Sequence, residues 1–330
     1  MDVRQHARAV REYMGVLRKR PIKEVVEALA STQQFGVQLP NYGDDTAVIP
    51  WNRGYLLLAA DGIMAGLLKN EPYAAGKAAV MVTVNDVYSM GGRPIGLVNV
   101  LASGDDTQRA QIVEGIKKGC HKLQVPMLGG HLHPDAPLEH PSLSVAILGY
   151  ARSLLRSHLA QPGDHLILCV DLQGRPGCHS VASWDANSGK TSEQLLNRLE
   201  VLPLIAEAGL ARAAKDVSNA GILGTASIMM ENSNKGAVVH LDAIPKPDGL
   251  PLEDWVRCFQ SYGFILSVPP DHAQQVIGLF QERYITARSI GRVSGDPTVI
   301  LVKGDEAEIL FDFRKDAITG IRYGEDGSAG

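Results

Sequence analysis

Apolar residues recur along the chain with two different spacings, and the spacing changes from segment to segment. Spacing of three and four residues predicts helices over residues 3–17 and from Pro21 onwards. Short runs of β-branched and other apolar residues predict strands over residues 46–49 and 55–60. The second of these strands ends at Asp61, which places a carboxylate at a strand terminus.

The same two spacings alternate through the rest of the chain. In the first half they predict a helix over residues 72–90, a strand over 95–102, a helix over 107–123, a short strand reaching Leu128 and a strand over 143–150. After a turn at residues 161–164 they predict strands over 165–170, 237–241, 263–268, 288–294 and 298–302, and helices over 192–200, 202–210 and 220–231. We interpret residues 171–190 as a mobile loop and residues 323–330 as a frayed tail.

Strands and helices alternate in both halves in a similar rhythm, which indicates an α+β fold of two domains. A chain of 330 residues, of which 45% are hydrophobic, is long enough to bury two cores. We predict an N-terminal domain over residues 1–158, built on a sheet with helices, and a C-terminal α+β domain over residues 159–330.

Composition and charge exclude several classes of protein. The formal net charge of -4 and the dispersed Lys and Arg residues provide no basic field for nucleic acid. The cysteines stand far apart without a C-x-x-C pair, so neither a zinc cluster nor a disulfide framework is expected; they are Cys120, Cys169, Cys178 and Cys258. No apolar segment approaches a membrane-spanning length, and the N-terminus does not have the pattern of a signal peptide. We therefore expect a cytoplasmic protein that binds neither nucleic acid nor a membrane.

Several aspartates stand at strand ends, on a helix or in glycine-flanked turns rather than in solvated charge runs. They are Asp44, Asp45, Asp61, Asp86 and Asp216. A nucleoside triphosphate carries several negative charges, so carboxylates hold it only through Mg²⁺, which takes one or two carboxylates together with phosphate oxygens and water. The pattern therefore predicts a site that holds phosphates through Mg²⁺.

Each acidic motif also has a purely structural interpretation. An aspartate before a strand or a glycine, such as Asp45 or Asp61, is an ordinary turn former. In the turn that follows Asp216, Ser218 or Asn219 is a candidate N-cap of the next helix. Asp86 is the most informative of the set, because an aspartate in the last turns of a helix opposes the helix dipole and needs a nearby cation.

A stretch rich in glycine and histidine follows the predicted short strand. It contains Gly129, Gly130, His131 and His133, with His140 beyond. Three histidines in a short stretch are compatible with zinc or iron, although His-x-His spacing without further ligands is weak evidence of such a site. We interpret the stretch as a loop that lines the phosphate site, with a histidine-centred metalloenzyme as an alternative.

Two common enzyme signatures are absent from the sequence. No G-x-x-x-x-G-K-[ST] motif occurs, and no serine stands in a nucleophile-elbow sequence. Neither a Walker-type ATPase nor a serine hydrolase is therefore expected.

Taken in order, the acidic motifs and the glycine-histidine stretch resemble the superfamily that contains aminoimidazole ribonucleotide (AIR) synthetase, selenophosphate synthetase, thiamine-monophosphate kinase and the hydrogenase maturation protein that dehydrates a carbamoyl thiocarbamate. The resemblance spans residues 42–267, and its most specific stretch is residues 85–95, N-D-V-Y-S-M-G-G-R-P-I. Residues 43–48, G-D-D-T-A-V, are similar to several members, and residues 216–221, D-V-S-N-A-G, resemble the acidic turn of the kinase. The chain is thereby identified as a member of an AIR synthase-related branch.

The resemblance implies a homodimer whose N-terminal domains pair through their sheets, with ATP and Mg²⁺ bound in clefts between the domains. The implied metal ligands are Asp45, Asp61, Asp86 and Asp216. The implied cofactor-binding residues are Asp45, Gly129, Gly130, His131, Ser218 and Asn219. The implied catalytic residues are Asp61, Lys77 and Asp86.

The chain also departs from the named relatives. Residues 1–41 contain no cysteine, whereas selenophosphate synthetase needs a cysteine or selenocysteine before the first acidic motif. His131 and Asn219 stand where the kinase has acids. The resemblance therefore predicts transfer of the γ-phosphoryl group of ATP to an oxygen of a small-molecule acceptor, and leaves open whether the enzyme is a kinase or a ligase or cyclase. The alternative is a catalytically silent nucleotide-binding or scaffolding protein of the same fold.

Overall fold

The structure is a computed structural model, and it describes residues 1–35, 42–259 and 263–323. Its α-helices are α1 (Val3–Arg11), α2 (Met14–Leu17), α3 (Ile22–Leu29), α4 (Ala65–Asn70), α5 (Pro72–Ser89), α6 (Asp106–Leu123), α7 (Ser192–Leu199), α8 (Val201–Glu207), α9 (Gly221–Asn232), α10 (Leu252–Trp255) and α11 (Ala273–Gln281). Its strands are β1 (Ala47–Trp51), β2 (Gly54–Gly62), β3 (Arg93–Ala102), β4 (Met127–His133), β5 (Ser142–Ala151), β6 (His165–Val170), β7 (Arg175–Pro176), β8 (Trp184–Asp185), β9 (Ala213–Asp216), β10 (Gly236–His240), β11 (Gly263–Val268), β12 (Thr286–Ser294), β13 (Thr298–Lys303) and β14 (Glu306–Asp312).

The first sheet has the strand order β1-β2-β5-β3-β4. Its neighbouring strands are antiparallel except β3 and β4, which are parallel because α6 carries the chain back between them. On β5, Leu143, Val145 and Ile147 alternate with more exposed residues and are buried. α5 packs on the face that these three side chains share, and α6 packs on α5.

The opposite face of the first sheet carries apolar side chains that are not covered. Leu58 pairs with Leu148 and Val98 with Ala146, so both point away from α5. Val100 lies two residues further along β3 and therefore on the same side. The exposed fractions of Leu58, Val98 and Val100 are 46%, 45% and 46%. We call the surface that these three residues define the open face.

α5 connects the first sheet to the second half of the molecule. Pro72 opens the helix at a position where its missing N–H costs no hydrogen bond. Gly76 allows α5 to approach α6 closely, since a Cβ there would lie 2.1 Å from the Ile112 carbonyl oxygen. α5 also contacts β9 and α8. The helix therefore carries Asp86 to the place where the two halves meet.

The second sheet has the strand order β14-β13-β10-β12-β6-β11-β9. β11 and α9 are buried along their whole length, and α11 packs on β6 and β12. α1 also packs on this sheet, against β13 and β14, and buries Val3, Ala7 and Val10 there. Arg11 fixes the contact by donating to the carbonyl of Ile309 at 2.7 Å. The first helix of the chain therefore belongs, in space, to the second sheet.

The segment that links the two sheets is held by Asp44. Its carboxylate accepts hydrogen bonds from Arg156 Nε (2.7 Å) and from the backbone N–H of Ser157 (2.7 Å). The Asp44 side chain is fully buried. Of the neighbouring acidic pair, Asp44 is therefore a structural residue that binds the linking segment.

The predicted two-domain α+β fold is confirmed, and β6 and β11 have the predicted bounds. The prediction missed β9, β14 and α11, whereas the polar turn predicted at residues 216–221 does open a helix, α9. The predicted domain boundary between residues 158 and 159 stays a prediction. α1 precedes this boundary in sequence but packs on β13 and β14, which follow it. Residues 171–190, predicted as a loop, contain the ribbon of β7 and β8, and residues 324–330 of the predicted tail lie outside the described residues.

Within the described ranges, no helix has the length and apolar character needed to cross a membrane.

Candidate functional site

Four aspartates from both halves of the chain come together around the C-terminal half of α5. Asp45 precedes β1, Asp61 lies near the end of β2, Asp86 lies on α5 and Asp216 ends β9. Asp61 pairs with the buried Val145 and therefore faces α5. The four carboxyl groups influence one another electrostatically. We call these four residues the acid cluster.

The side chains of Asp61 and Asp86 lie within hydrogen-bonding reach of each other. Two carboxylates this close repel each other unless a proton or a cation lies between them. Burial raises the pKa of Asp61, and burial together with repulsion by Asp61, Asp216 and Asp45 raises the pKa of Asp86 well above its ordinary value. The pair therefore suits a divalent cation, which would remove the repulsion between the two carboxylates.

Lys215 neutralises Asp45 in the same cluster. The ammonium group forms an ion pair with Asp45 Oδ1 and also donates to the Gly43 carbonyl at 3.2 Å. Asp45 Oδ2 accepts the backbone N–H of Asp216 (3.1 Å) and the hydroxyl of Ser89 (2.7 Å). Burial and the charge of Asp45 raise the pKa of Asp216 well above its ordinary value. Asp45 therefore ties the start of the first sheet to the last residues of β9.

The N-terminal segment brings a second lysine to the acid cluster. α2 lies so close to the loop after β9 that a Cβ on Gly15 would be 1.9 Å from the carbonyl oxygen of Asn219. Lys19 follows α2 and interacts with three aspartates of the cluster, while burial and the charge of Lys215 lower its pKa. Our sequence reasoning missed both lysines. Lys215 could have been found in the sequence, because Lys215 and Asp216 form a charged pair directly after the apolar residues of β9.

The acid cluster is not a complete set of metal ligands. Among the residues that the structure describes, no three His, Cys, Asp or Glu side chains form a group that could hold a metal ion on their own. The closely spaced pair Asp61–Asp86 does fit Mg²⁺, which takes one or two carboxylates and completes its octahedral shell with phosphate oxygens and water. The predicted metal-binding roles of Asp45 and Asp216 stay predictions.

The glycine-histidine stretch lies in a strand, and its prediction as a loop is wrong. Gly129, Gly130 and His131 belong to β4 because the parallel ladder with β3 continues to His133. His131 pairs with Val100, so its side chain is on the open face, whereas Asp61 is on the covered face. The sheet therefore separates His131 from the acid cluster of the same chain. The cofactor-binding role of the three residues stays a prediction.

Ser218 and Asn219 border the acid cluster in the turn before α9. The N-cap of α9 is Ala220, so the interpretation of Ser218 or Asn219 as the N-cap is wrong. The Ser218 carbonyl accepts the N–H of Gly221 at 2.8 Å, and Asn219 Nδ2 contacts Met64 Sδ at 3.6 Å. The turn therefore holds both residues beside β9, where their predicted nucleotide contacts stay predictions.

Lys77 lies at the other end of α5. Its Cα is nine residues before that of Asp86, a separation of roughly 13 Å along the axis that also puts the two side chains on opposite sides of the helix. Lys77 Nζ donates to Ser188 Oγ at 3.0 Å. The structure therefore does not bring Lys77 together with Asp61 and Asp86, and its catalytic role stays a prediction.

Comparison with known proteins matches both halves of the chain. The family model for AIR synthase related protein, N-terminal domain, matches residues 43–151, and the model for the C-terminal domain matches residues 161–304. An uncharacterized protein of Synechocystis sp. is 41% identical over 84% of this chain and 86% of its own length. An uncharacterized protein of Methanocaldococcus jannaschii is 34% identical over 97% of this chain and 100% of its own length. The chain belongs to the AIR synthase related protein family.

Solved structures of two relatives share the fold. PurL of T. maritima complexed with ATP has a TM-score of 0.71 and 21% identity, over 84% of this chain and 47% of PurL. AaThiL complexed with AMPPCP and TMP has a TM-score of 0.65 and 20% identity, over 87% of this chain and 96% of ThiL. This chain thus spans about half the length of PurL and nearly all of ThiL. At these identities the likeness shows the fold alone.

Proposed function

We propose that the protein is a Mg²⁺-dependent, ATP-utilising enzyme that transfers the γ-phosphoryl group to an oxygen of a small molecule. The observation that carries the proposal is the buried, closely spaced pair Asp61–Asp86 within a larger group of carboxylates. Family membership supports it, since PurL has been crystallised with ATP and ThiL with AMPPCP.

The chain's own residues orient the reactants. Asp61 and Asp86 are the carboxylates that hold Mg²⁺, and Asp45 and Asp216 extend the negative site across the two halves. Bound Mg²⁺ supplies neutralisation of the charge on the phosphate oxygens. In the transfer, an acceptor oxygen forms a bond to the γ-phosphorus while the bond to the bridging oxygen breaks, and ADP leaves with that electron pair. The protein contributes mainly position and charge compensation.

The two lysines of the site limit its negative charge. Lys215 is paired with Asp45, and Lys19 is close enough to interact with three of the aspartates. A triphosphate that enters the site therefore meets ammonium groups as well as carboxylates. This arrangement reduces the repulsion that a site made only of carboxylates would exert on the nucleotide.

Calorimetric titration with AMPPCP tests the proposal. We expect binding in Mg²⁺ and none in EDTA, because the carboxylates reach the phosphates only through a cation. Asp61→Asn should weaken binding, whereas Asp248→Asn, at an exposed aspartate, should leave it unchanged. Equal binding in Mg²⁺ and EDTA would contradict the assignment.

A catalytically silent nucleotide-binding protein is the second candidate. The observation in its favour is the Lys215–Asp45 ion pair, in which a lysine already occupies one predicted metal ligand. ATP binding without ADP formation, on prolonged incubation with candidate acceptors, would favour this candidate. ADP formation above background in the presence of Mg²⁺ would favour the enzyme.

The proposal includes a homodimer formed through the open face. Leu58, Val98 and Val100 expose nearly half of their surface on one side of a sheet, where polar residues are usual. A second copy of the same face would cover them. Sedimentation equilibrium should give twice the chain mass of 35.5 kDa; a monomer at every concentration would contradict the dimer.

A further inference from the structure

A cavity of about 260 Å³ lies between the N-terminal half of α5 and the segment that follows β6. Tyr73, Lys77 and Met81 line it from α5. These three residues are four positions apart, so they form one stripe along the helix. Trp184 and Ser188 line the opposite side. The cavity is thus enclosed by both halves of the chain.

The segment opposite α5 is held in place from both ends. Glu71, which precedes α5, accepts the backbone N–H groups of His179 (3.1 Å) and Ser180 (2.8 Å). At the far end of the segment, Lys190 Nζ is 2.9 Å from the buried carboxylate of Asp171. These contacts hold the cavity in shape without a ligand, which reduces the cost of ordering the protein around one.

The charged groups of the cavity leave ammonium donors available. Asp185 Oδ1 already accepts the backbone N–H groups of Asn187 (3.1 Å) and Ser188 (2.9 Å). The bond from Lys77 Nζ goes to a neutral partner, the Ser188 hydroxyl, and an ammonium group has three donors. Lys122 lies nearby, where burial and the positive charge of Lys77 lower its pKa. The carboxylates of Glu71 and Asp185 also line the cavity, and the charge of Lys77 contributes to lowering the pKa of Asp185. Both carboxylates already accept backbone N–H groups, so Lys77 keeps donors for an anionic group.

The rest of the wall is apolar and fixed. Trp184 donates its Nε1 hydrogen to the Asp171 carbonyl at 2.9 Å, and its ring meets Trp255 edge to face at 5.5 Å. Met81 and Pro176 also line the cavity. A fixed aromatic ring beside a lysine suits a ligand that combines an aromatic or apolar body with one charged group.

We propose that this cavity is a binding site for a small organic anion, with Lys77 receiving the anionic group and Trp184 and Met81 contacting the apolar body. The site is distinct from the acid cluster, since Lys77 and Asp86 lie at opposite ends and on opposite sides of α5. Binding of the anion requires neither nucleotide nor Mg²⁺. The inference therefore goes beyond the proposed function and can fail without it.

Calorimetric titration of the full chain, without nucleotide or divalent cation, tests the inference. The probes are phenyl phosphate and benzoate, with benzyl alcohol as an uncharged probe of similar shape. We expect at least one anion to bind and benzyl alcohol not to bind. Stronger binding of phenyl phosphate would indicate a phosphorylated ligand, and stronger binding of benzoate a carboxylate.

Two variants and one control locate the site. Lys77→Gln should weaken anion binding about tenfold or more, since it removes a charge-assisted hydrogen bond. Lys117→Gln, at an exposed lysine of α6 that pairs with Glu114, should bind as the wild type does. Ala74→Leu puts a larger side chain into the cavity from α5 and should abolish binding while the melting curve shows a folded protein.

Three results would overturn the inference: no binding of either anion, equal binding of benzyl alcohol, or anion binding that Lys77→Gln leaves unchanged. If Lys77→Gln does not fold, a folded Ala74→Leu variant decides the matter. Loss of binding in that variant supports the site, and wild-type binding overturns it.

Discussion

Each face of the first sheet carries an exception to the usual distribution of polar and apolar side chains. The covered face holds Asp61 against Asp86 of α5, whereas the open face exposes Leu58, Val98 and Val100. Proteins normally bury the apolar groups and expose the charged ones. Both departures cost free energy unless something compensates, because buried carboxyl groups need a cation or a proton and exposed apolar groups need a partner. The contrast is consistent with the proposed Mg²⁺ and nucleotide on one side of the sheet and with the proposed second copy on the other.

The covered face should be the side on which activity depends. Asp86→Asn removes a proposed Mg²⁺ ligand without changing the size of the side chain, and ADP formation should fall about 100-fold or more. Asp106→Asn, at an exposed aspartate in the first turn of α6, should keep the wild-type rate. A wild-type rate of Mg²⁺-dependent ADP formation in Asp86→Asn would show that Asp86 of the covered face does not take part in the reaction.

The open face should be the side on which assembly depends. Val100→Glu puts a charge into the proposed interface of each copy, and like charges there should weaken association about tenfold or more. Analytical ultracentrifugation measures the change. Val113→Glu is the matched control, since Val113 lies on α6 and is 48% exposed against 46% for Val100. An intact Val100→Glu dimer would show that copies associate elsewhere.

The pH dependence of stability should follow the carboxyl groups of the covered face. The pKa of Asp86 is raised well above that of an unfolded chain, which is near 3.9. As pH rises from about 4, the unfolded chain loses this proton first, so the wild type loses stability up to the folded pKa. Asn does not ionise, and Asp86→Asn should therefore be more stable than the wild type at neutral pH.

Urea unfolding in the absence of divalent cations measures this difference. It should shrink as pH falls toward about 3, where Asp86 is protonated in both states. A difference in stability that grows on acidification would contradict the raised pKa of Asp86.

The smallest effect is expected at Ser89, whose hydroxyl donates to Asp45 Oδ2 at 2.7 Å. Ser89→Ala should cost about 1 kcal/mol of stability and weaken AMPPCP binding a few-fold. Ser227→Ala is the control, because this buried hydroxyl donates to the Leu223 carbonyl within α9, away from the acid cluster. Both variants should lose similar stability, measured by urea unfolding, but only Ser89→Ala should change nucleotide affinity.

The parts of the fold that follow local patterns were predictable. Residues 72–90 have a proline at the start and glycines at the end, and the structure forms α5 there. β6 and β11 were predicted because both are short continuous apolar runs between turn residues. β9 was missed because two of its four residues, Lys215 and Asp216, are charged and are buried only by contacts between distant segments.

The composition of the acid cluster was predictable in part. Asp86 could be found because the last turns of a helix are an unusual place for a carboxylate without a partner. Asp61 could be found because strand ends collect the side chains of functional sites, although an aspartate before a glycine is also an ordinary turn former. The position of His131 could not be predicted, because the face on which a strand residue lies depends on its register with the neighbouring strand. The ladder between β3 and β4 puts His131 opposite Val100. Lys19 reaches the cluster only because α2 packs on a loop more than 200 residues away in sequence.

α1 packs on β13 and β14 of the second sheet, although the strands of the first sheet follow it in sequence. The chain therefore contributes first to the second sheet, then forms the first sheet, and then returns to the second. A single cut between the two halves would leave α1 on the wrong fragment. Val3, Ala7 and Val10 would lose their cover in one fragment, and the parts of β13 and β14 under α1 would lose theirs in the other. The start of the polypeptide therefore joins the two halves, and the second sheet is completed only when that first helix is present.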